Sequence, residues 1–314
     1  MTDRERRTTT KNILVTGGTV FVSKYIAKYY TSLGDKVHVL NRNHHPQPEG
    51  TNLIEADRHH LGEVLKNYFF DVVLDINGYD RQDVSDLLDG LGEFGDYIFI
   101  SSSAVYPEHL PQPFEETMQV GPNRYWGTYG TDKIEAEQEL LKRVPGAYIL
   151  RPPYLYGPMN NVYREAFVFD CAMQDRIFYL PQDGSMKLQF FHIHDLCKCI
   201  DSIVRLHPED HVFNVGDDQI VSIREWVDAC YRVAGKEAHY VSVPESVNPR
   251  EYFSFYNYQY ILDVRRQKEL LDAPIPLTEG LKSSYEWYRK HPQDVKKMEY
   301  LKYIDEHLAE KVEE

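Results

Sequence analysis

Short apolar runs alternate with segments of helical periodicity along the first half of the chain. Runs rich in branched apolar residues predict strands at 12–16, 36–40, 52–55, 71–76 and 97–100. Apolar residues at three- and four-residue spacing predict helices at 20–33, 62–68, 80–91 and 129–143, and a further strand is predicted at 147–150. Strands and helices in alternation predict right-handed βαβ units on a parallel sheet.

The alternation loosens after the Arg151-Pro152-Pro153 stretch. Strands are predicted near 177–180 and 187–193, and helices near 162–173, 195–206, 223–233 and 293–314. There is no internal repeat and no low-complexity linker. We therefore expect two parts that share one sheet-based body.

Composition limits the possible classes of protein. The 314 residues are 42% hydrophobic, and no apolar run approaches the roughly 20 residues that span a bilayer. The N-terminal MTDRERRTTTK has no apolar segment behind it, so we expect a disordered tail, no secretory signal and a cytoplasmic protein. The four cysteines lack CxxC spacing and are expected to be core thiols. A net charge of −14 without a basic stripe argues against a nucleic-acid partner.

The first strand runs into the glycine loop TGGTVFVS. A dinucleotide fingerprint uses one glycine for a tight turn, one for approach to the pyrophosphate and one for helix packing. Gly17 takes the first place, while Val20 and Ser23 occupy the other two. Gly18, Thr19 and the helix N-terminus still offer N–H donors to a phosphate. The loop alone fits a nucleotide site and a plain strand-to-helix turn equally well.

Arg42 follows the second predicted strand. An NAD-binding unit places an acid at this point for the ribose 2′-hydroxyl, whereas an arginine suits a 2′-phosphate. Arg42 therefore favours NADP over NAD.

A serine triplet and a tyrosine–lysine pair come next along the chain. ISSSAVY follows the strand at 97–100, and YGTDK places Tyr129 and Lys133 one helical turn apart. A free phenol is a poor base at pH 7, but a nearby lysine cation and an oxidised nicotinamide favour the phenolate. Each feature could arise by chance, yet their order predicts an enzyme that takes a proton from a substrate hydroxyl.

These residues resemble the extended short-chain dehydrogenase/reductases, also called the NAD-dependent epimerase/dehydratase family. The resemblance covers residues 12 to about 291 and rests on ILVTGGTVFVS, ISSSAVYP, YGTDK, RPPYLYGPMNN, FFHIHDL, VFNVGDD and GLKSSYEWYRKH. It implies an α/β fold, a Rossmann-type doubly wound parallel sheet with a smaller C-terminal substrate-binding lobe. The predicted division is a disordered tail at 1–10, a dinucleotide-binding domain at 11–155 to which segments near 190–220 return, and a mainly substrate-binding lobe with C-terminal helices at 156–314.

The resemblance also implies roles for matched positions. Tyr129 would be the catalytic acid/base, Lys133 would lower its pKa and hold the nicotinamide ribose, and Ser102 would orient the substrate. The predicted cofactor contacts lie at successive strand ends: Gly17, Gly18, Thr19, Val20, Phe21, Arg42, Asp57, Arg58, Gly78, Pro153 and Tyr154. The predicted substrate contacts are Ser103, Asn160, Asn161 and Gln189.

The implied function is an NAD(P)-dependent oxidoreductase or epimerase that acts on a hydroxyl or keto carbon of a sugar or sugar-nucleotide-like small molecule. Two departures bear on it: the loop lacks both later glycines, and Leu188 stands where sugar-nucleotide epimerases of the family carry an arginine for the substrate diphosphate. The alternative is a catalytically idle nucleotide-sensing or RNA-binding member of the same fold. The substrate, the choice among epimerase, dehydratase and reductase, and a possible homodimer stay open.

Several other residues are expected to be structural. His192 and His194 share a strand face but have no third ligand, so no metal site is predicted. The histidine pairs at 44–45 and 59–60 lie in polar segments and are expected to be solvated. The aromatic run 252–260 could wall a substrate pocket or pack the lobe onto the sheet, and packing is the preferred interpretation.

Overall fold

The structure is a computed structural model that describes residues 9–309. Most of the predicted disordered tail and the acidic end of the predicted C-terminal helix lie outside the described residues. Within this range, no helix combines the length and the apolar character that crossing a membrane requires.

The strands are short, as buried strands of α/β proteins are. They are β1 (Asn12–Thr16), β2 (Lys36–Asn41), β3 (Asn52–Glu55), β4 (Phe70–Asp75), β5 (Phe94–Ile100), β6 (Tyr148–Arg151), β7 (Tyr154–Tyr156), β8 (Phe178–Pro181), β9 (Lys187–Leu188), β10 (Phe190–His192), β11 (Val212–Asn214), β12 (Val221–Ser222) and β13 (Tyr240–Val243).

The α-helices have clearer limits. They are α1 (Phe21–Ser32), α2 (Arg81–Gly90), α3 (Thr128–Arg143), α4 (Glu165–Met173), α5 (Ile193–Leu206), α6 (Ile223–Val233), α7 (Leu277–Tyr288) and α8 (Tyr300–His307). The α6 helix shows how sequence sets such a limit, because Ser222 and Glu225 form a capping box at its start.

Seven parallel strands form the central sheet in the order β11-β6-β5-β4-β1-β2-β3. The order changes direction between β1 and β4, so the connections wind outward on both sides of β1. Ile13, Leu14 and Val15 in β1 are fully buried because helices cover both faces of the sheet. This arrangement confirms the predicted α/β fold with a doubly wound parallel sheet.

Two helices lie on each face of the sheet. Apolar residues of α1 and α5, such as Ile26 and Ile200, pack in one core with alternate residues of β1 and β4. Residues of α2 and α3, such as Leu87 and Leu140, pack in a second core on the opposite face. The sheet is therefore the middle of three layers.

A second body, the C-terminal lobe, consists of α4, α6, α7, α8, β8, β9, β12 and β13. Its core is rich in aromatic rings: Phe190 stacks on Trp226 at 5.4 Å between ring centroids, and Phe255 meets Trp226 edge-on at 5.2 Å. Strand β11 returns to the central sheet beside β6. The proposed boundary at residue 155 itself stays a prediction.

Three predicted elements differ in the structure. Residues 62–68 form turns and not a helix. Their hydrogen bonds join residues three positions apart, such as Val64 N to Leu61 O, and Gly62 has a φ of +50°. The strand predicted at 187–193 is split into β9 and β10 by Gln189, which is used in side-chain hydrogen bonds. The described part of the predicted C-terminal helix is α-helical only in α8, with a 3₁₀ turn before it.

Candidate active site

A cleft of about 930 Å³ opens along the carboxyl ends of the parallel strands. The chain lines it at Gly17 after β1, Arg42 after β2, Asn77 after β4 and Ser102 after β5. Open α/β sheets bind ligands at this edge, where the strand order changes direction. The volume lies within the roughly 300–1,000 Å³ usual for small-molecule and cofactor sites. The cleft is therefore the candidate active site.

The glycine loop keeps the glycines that its backbone requires. Gly17 and Gly18 have positive φ angles of 84° and 89°, which residues with a Cβ rarely adopt. A Cβ on Gly18 would also lie 2.5 Å from a methyl carbon of Val39, which is buried in β2. Val20, in contrast, has an extended φ of −129°, and its side chain is 45% exposed. Its position demands no glycine, so the valine is free of backbone strain.

The start of α1 faces the cleft without a side-chain cap. Val20 makes no capping hydrogen bond, and the first turn carries no acidic residue. Phe21, the first helical residue, has a φ of +27°, a strained value of the kind that concentrates at functional sites. The Ser23 hydroxyl closes the turn by donating to the Val20 carbonyl at 3.0 Å. The positive end of the helix is thus available to an anion in the cleft.

The predicted adenosine contacts have different surroundings. Arg42 is exposed on the cleft wall. Asp57 accepts a hydrogen bond from the His59 backbone N–H, which holds the pKa of its carboxyl below the usual range. Arg58 lines the cleft too, but its Nη2 lies 2.7 Å from Asp75 Oδ1, so its guanidinium is engaged in an internal ion pair.

Ser102, Tyr129 and Lys133 meet in the middle of the cleft. Tyr129 is 38% exposed, and the Ser102 hydroxyl accepts a hydrogen bond from the Ala104 N–H at 3.1 Å. Lys133 is buried, and its Nζ donates to the carbonyls of Gly78 at 2.7 Å and Ile100 at 2.8 Å. Burial lowers the Lys133 pKa to about 8.

The pKa of Tyr129 differs from the expectation. Burial raises it, while the neighbouring Ser102 hydroxyl and the charge of Arg164 act in the opposite direction. Arg164 is therefore a cation that favours the phenolate and that the sequence did not suggest, and the predicted effect of Lys133 on the Tyr129 pKa stays a prediction.

The predicted nicotinamide end combines a packed floor with an open wall. Gly78 lies outside the cleft lining, and a Cβ there would be 2.7 Å from Asp75 Oδ2, so the residue serves close packing beneath the site. Gly18 is likewise absent from the lining. Pro153 and Tyr154 do line the cleft, and burial raises the Tyr154 pKa to about 12.

An aromatic wall lines part of the cleft, and the sequence analysis considered only those of its residues that lie in the run 252–260. It consists of Tyr79, Tyr125, Trp126, Tyr256 and Tyr260. The Trp126 ring lies 5.5 Å from that of Tyr256 and 5.9 Å from that of Tyr260. The aromatic run 252–260 therefore does both things considered for it, because Phe253 and Phe255 pack in the lobe core.

Arg164 was also missed. It precedes α4, lines the cleft, and its guanidinium carbon lies 5.0 Å from the centre of the Tyr154 ring. Its Nη1 donates to the Leu155 carbonyl at 3.1 Å, and among residues 9–309 no carboxylate pairs with it. The sequence did carry a signal for this residue, because the arginine follows the motif RPPYLYGPMNN and directly precedes an apolar helix.

The predicted substrate contacts separate into two groups. Asn161 and Ser103 line the cleft. Asn160 is buried and donates to Glu165 Oε1 at 2.9 Å, and Gln189 is buried and bridges Asp217 O and Leu262 N. Both side chains are occupied away from the cleft, which corrects their assignment as substrate contacts.

The histidines have mainly structural surroundings. His192 caps α5, and burial lowers its pKa to about 4. His59 is not freely solvated as predicted, since its Nδ1 lies 2.7 Å from Asp86 Oδ2, and this hydrogen bond raises its pKa. His44 and His45 are exposed and line the cleft. In the part of the chain that the structure describes, no group of three potential ligands is placed to hold a metal ion.

The fold and the cleft together define a Rossmann-type α/β protein with its ligand site at the carboxyl edge of the sheet. The chain belongs to the NAD dependent epimerase/dehydratase family, whose model matches residues 13–216. Membership confirms the resemblance found in the sequence and the predicted class, an NAD(P)-dependent enzyme.

Two plant proteins are among its relatives. The chain is 28% identical over 306 residues to the chloroplast stem-loop binding protein of 41 kDa b of Arabidopsis thaliana, a match that covers 88% of this chain and 78% of that protein. It is 26% identical over 217 residues to GDP-L-fucose synthase 1 of the same plant, with 62% of this chain and 63% of that protein covered.

Solved structures share the fold. UDP-glucuronic acid 4-epimerase of Bacillus cereus, solved with UDP-glucuronic acid and NAD, superposes with a TM-score of 0.70 at 19% identity, over 89% of this chain and 99% of that one. UDP-glucose 4-epimerase of Thermotoga maritima, solved with UDP-glucose, also gives 0.70 at 21% identity, over 90% and 99%.

Proposed function

We propose that the chain is an NAD(P)-dependent epimerase, dehydratase or reductase that acts on a hydroxyl or keto carbon of a sugar nucleotide. The observation that carries the proposal is that Ser102, Tyr129 and the buried Lys133 line one cleft together with the glycine loop. The relatives named for GDP-L-fucose synthesis and for UDP-sugar epimerisation support the substrate class.

The residues present fit a dinucleotide. The uncapped N-terminus of α1 would hold the pyrophosphate, with Gly17, Thr19, Val20 and Phe21 around it. Asp57 and Arg42 would contact the adenosine end. The exposed Arg42 favours NADP, since a guanidinium matches a 2′-phosphate. A bound nicotinamide would supply the acceptor for the substrate hydride.

The chain's own residues would handle the proton. Tyr129 lines the cleft, so its phenolate would take the proton of the substrate hydroxyl, while Ser102 would donate a hydrogen bond to the same oxygen. Lys133 donates to the carbonyls of Gly78, which follows β4, and of Ile100, the last residue of β5, and would keep a positive charge near the site. Pro153 and Tyr154 would border the nicotinamide.

The substrate half would recognise an anion through Arg164. Leu188, at the position of the family's diphosphate arginine, is buried in the lobe core, and Lys187 lies 3.6 Å from Glu225 and outside the cleft lining. Arg164 is in the cleft and has no carboxylate partner among the described residues. We infer that it replaces the missing arginine, with Asn161 beside it.

The described cores support the proposed division of the chain. Residues 11–155 contribute six strands of the central sheet, β1 to β6, and β11 is the later segment that returns to it. Residues after 155 contribute the lobe core.

The test is turnover by a Tyr129→Phe variant. Purified protein would be incubated with NAD(P) and UDP-glucose, UDP-glucuronic acid or a GDP-sugar, and products separated by chromatography. We expect the variant to lose about 10²–10⁴-fold in rate, the usual contribution of general acid–base catalysis, while its cofactor affinity stays unchanged. Tyr125→Phe, on the aromatic wall, is the matched control. Equal rates for the Tyr129 variant and wild type would remove the mechanism.

The RNA-binding alternative has one observation in its favour, the name of the stem-loop binding relative. A net charge of −14 opposes it, because phosphate contacts need arginine and lysine. Filter retention of a stem-loop RNA at low salt tests it. Retention that falls steeply with salt would support this alternative.

A further inference from the structure

A fully buried carboxylate, Asp75, lies under the cleft at the end of β4. Its Oδ1 accepts hydrogen bonds from Thr16 Oγ1 at 2.9 Å and from Arg58 Nη2 at 2.7 Å. Its Oδ2 accepts from the Tyr97 hydroxyl at 2.8 Å. Thr16 directly precedes the glycine loop, and Arg58 lies at the adenosine end of the cleft. A buried carboxylate is costly unless it is paired, and this network supplies its partners.

The same carboxylate lies against the support of Lys133. Asp75 and Phe99 are register partners on β4 and β5, so their side chains project from the same face of the sheet. A Cβ on Gly78 would lie 2.7 Å from Asp75 Oδ2 and 3.0 Å from Phe99 Cε2. Lys133 Nζ lies 4.7 Å from the centre of the Phe99 ring and donates to the Gly78 carbonyl. Carboxylate, ring and ammonium therefore meet around Gly78.

We propose that Asp75 is a positioning residue that keeps the buried Lys133 side chain charged, and that Arg58 limits this effect by pairing with Asp75. The catalytic importance of the ammonium rests on the proposed function. The electrostatic coupling between the three side chains does not, since it is a property of the folded chain.

Other charges also face Lys133. Glu137 on α3 and Asp83 on α2 favour its charged form, and Arg58 opposes it. Asp75 is the largest of the favourable contributions, and Glu137 is shared with Arg151 and Ser101. The Tyr79 ring lies 5.3 Å from Nζ and adds a further face that stabilises a cation.

The balance is sensitive because desolvation has already lowered the Lys133 pKa to about 8. At neutral pH the Lys133 amine is mostly protonated, but a small further fall in its pKa would leave much of it neutral. Removing Asp75 would lower the Lys133 pKa, because desolvation and Arg58 would no longer be opposed by the largest favourable contribution. Removing Arg58 would raise the Lys133 pKa, because the charge of Asp75 would then be paired with Lys133 and no longer with Arg58.

The experiment is an NMR titration of Lys133 in protein labelled with ¹³C and ¹⁵N in its lysines, with the signal assigned by its loss in Lys133→Met. In Asp75→Asn we expect the Lys133 pKa to fall by about 1–3 units, the usual effect of one close opposite charge. In Arg58→Gln we expect it to rise. Tyr97→Phe removes a hydrogen bond to Asp75 without changing any charge, and serves as the control with a pKa near that of wild type.

The opposite directions of the Lys133 pKa change in Asp75→Asn and Arg58→Gln distinguish electrostatic coupling from a purely structural role of the network. If the network only held the floor together, water entering either variant would move the Lys133 pKa upward toward its ordinary value in both. Should Asp75→Asn fail to fold, the double variant Asp75→Asn/Arg58→Gln leaves no unpaired charge, and we expect its Lys133 pKa to lie below that of wild type, because Asp75 contributes more than Arg58. An unchanged or raised Lys133 pKa in a variant without Asp75 overturns the proposal.

The titration uses no substrate, so it distinguishes this inference from the proposed function. A lowered pKa in a chain that turns over none of the sugar nucleotides would uphold the coupling and refute the function. In an active enzyme, the pH at which kcat/KM declines would move in the same direction as the Lys133 pKa.

Discussion

Substituting Gly18 by alanine tests how tightly the glycine loop is built. The new Cβ would have to adopt a φ near 89° and would lie 2.5 Å from one methyl carbon of Val39 and 2.7 Å from its Cβ. A positive φ costs a residue with a Cβ about 1–2 kcal/mol. Forcing a carbon into a packed core costs about 1–3 kcal/mol more. We therefore expect Gly18→Ala to lose about 2–5 kcal/mol of unfolding free energy.

Gly34 provides a matched control for this substitution. Its φ is 91°, but no atom lies within 4 Å of the position that its Cβ would take. Gly34→Ala should therefore lose only the backbone contribution, about 1–2 kcal/mol. Urea unfolding followed by circular dichroism measures both values. Equal losses would refute the steric argument, as would strict additivity of Gly18→Ala with Val39→Ala, because residues in contact should couple.

Three further predictions concern buried groups. The His192 pKa of about 4 lies below the unfolded value of 6.5, so the unfolding free energy falls by up to about 3 kcal/mol as pH falls through this window. The variant His192→Asn keeps the helix cap. In urea unfolding, this variant should lose less unfolding free energy relative to wild type at pH 4 than at pH 7. Asp217, with its pKa raised to about 6, acts in the opposite direction and would mask part of this loss. Glu137→Gln would leave the Arg151 charge buried and unpaired at a cost of about 3–5 kcal/mol, against at most about 1 kcal/mol for the exposed Glu135→Gln, again in urea unfolding. A thiol reagent should label none of the cysteines in native protein and all of them in urea, and native labelling would contradict their burial: Cys171, Cys197, Cys199 and Cys230.

The first half of the fold could be predicted from the sequence because its signals are local. Strand β1 has the predicted limits because a buried strand covered on both faces is a continuous apolar run, and the edge strand β3 also has its predicted limits. The helix predicted at 62–68 was wrong for a local reason as well. Gly62 adopts a positive φ, and the following residues close successive turns of the 3₁₀ kind.

The site could be predicted only in part, because its contacts are not local. Motif position brought Ser102, Tyr129 and Lys133 together in one cleft. It could not show that Gln189 is used by the backbone of Leu262, 73 positions further along the chain. The same limit hid Arg164, whose importance depends on the tyrosines around it. The position of a residue in a family motif indicates where its backbone lies, but burial determines whether its side chain is available to a ligand.

One missed interaction had a visible signal. Asp75 ends a mainly apolar strand, and a carboxylate buried in such a strand requires buried donors. Arg58 lies 17 positions earlier and satisfies this requirement. From the sequence, Arg58 was assigned to the cofactor and Asp75 was given no partner. A buried Asp75 nevertheless indicates that a basic side chain lies buried beside it.

We expect this cleft to bind a dinucleotide although the loop has lost two fingerprint glycines. Calorimetric titration of NAD⁺ and NADP⁺ into the wild-type chain and Gly18→Ala tests it most directly, with Gly34→Ala as the control. We expect saturable binding of one molecule per chain, tighter for NADP⁺, lost in Gly18→Ala and retained in the control. Absence of saturable binding for both cofactors, or equal binding to the Gly18 variant, would contradict the account.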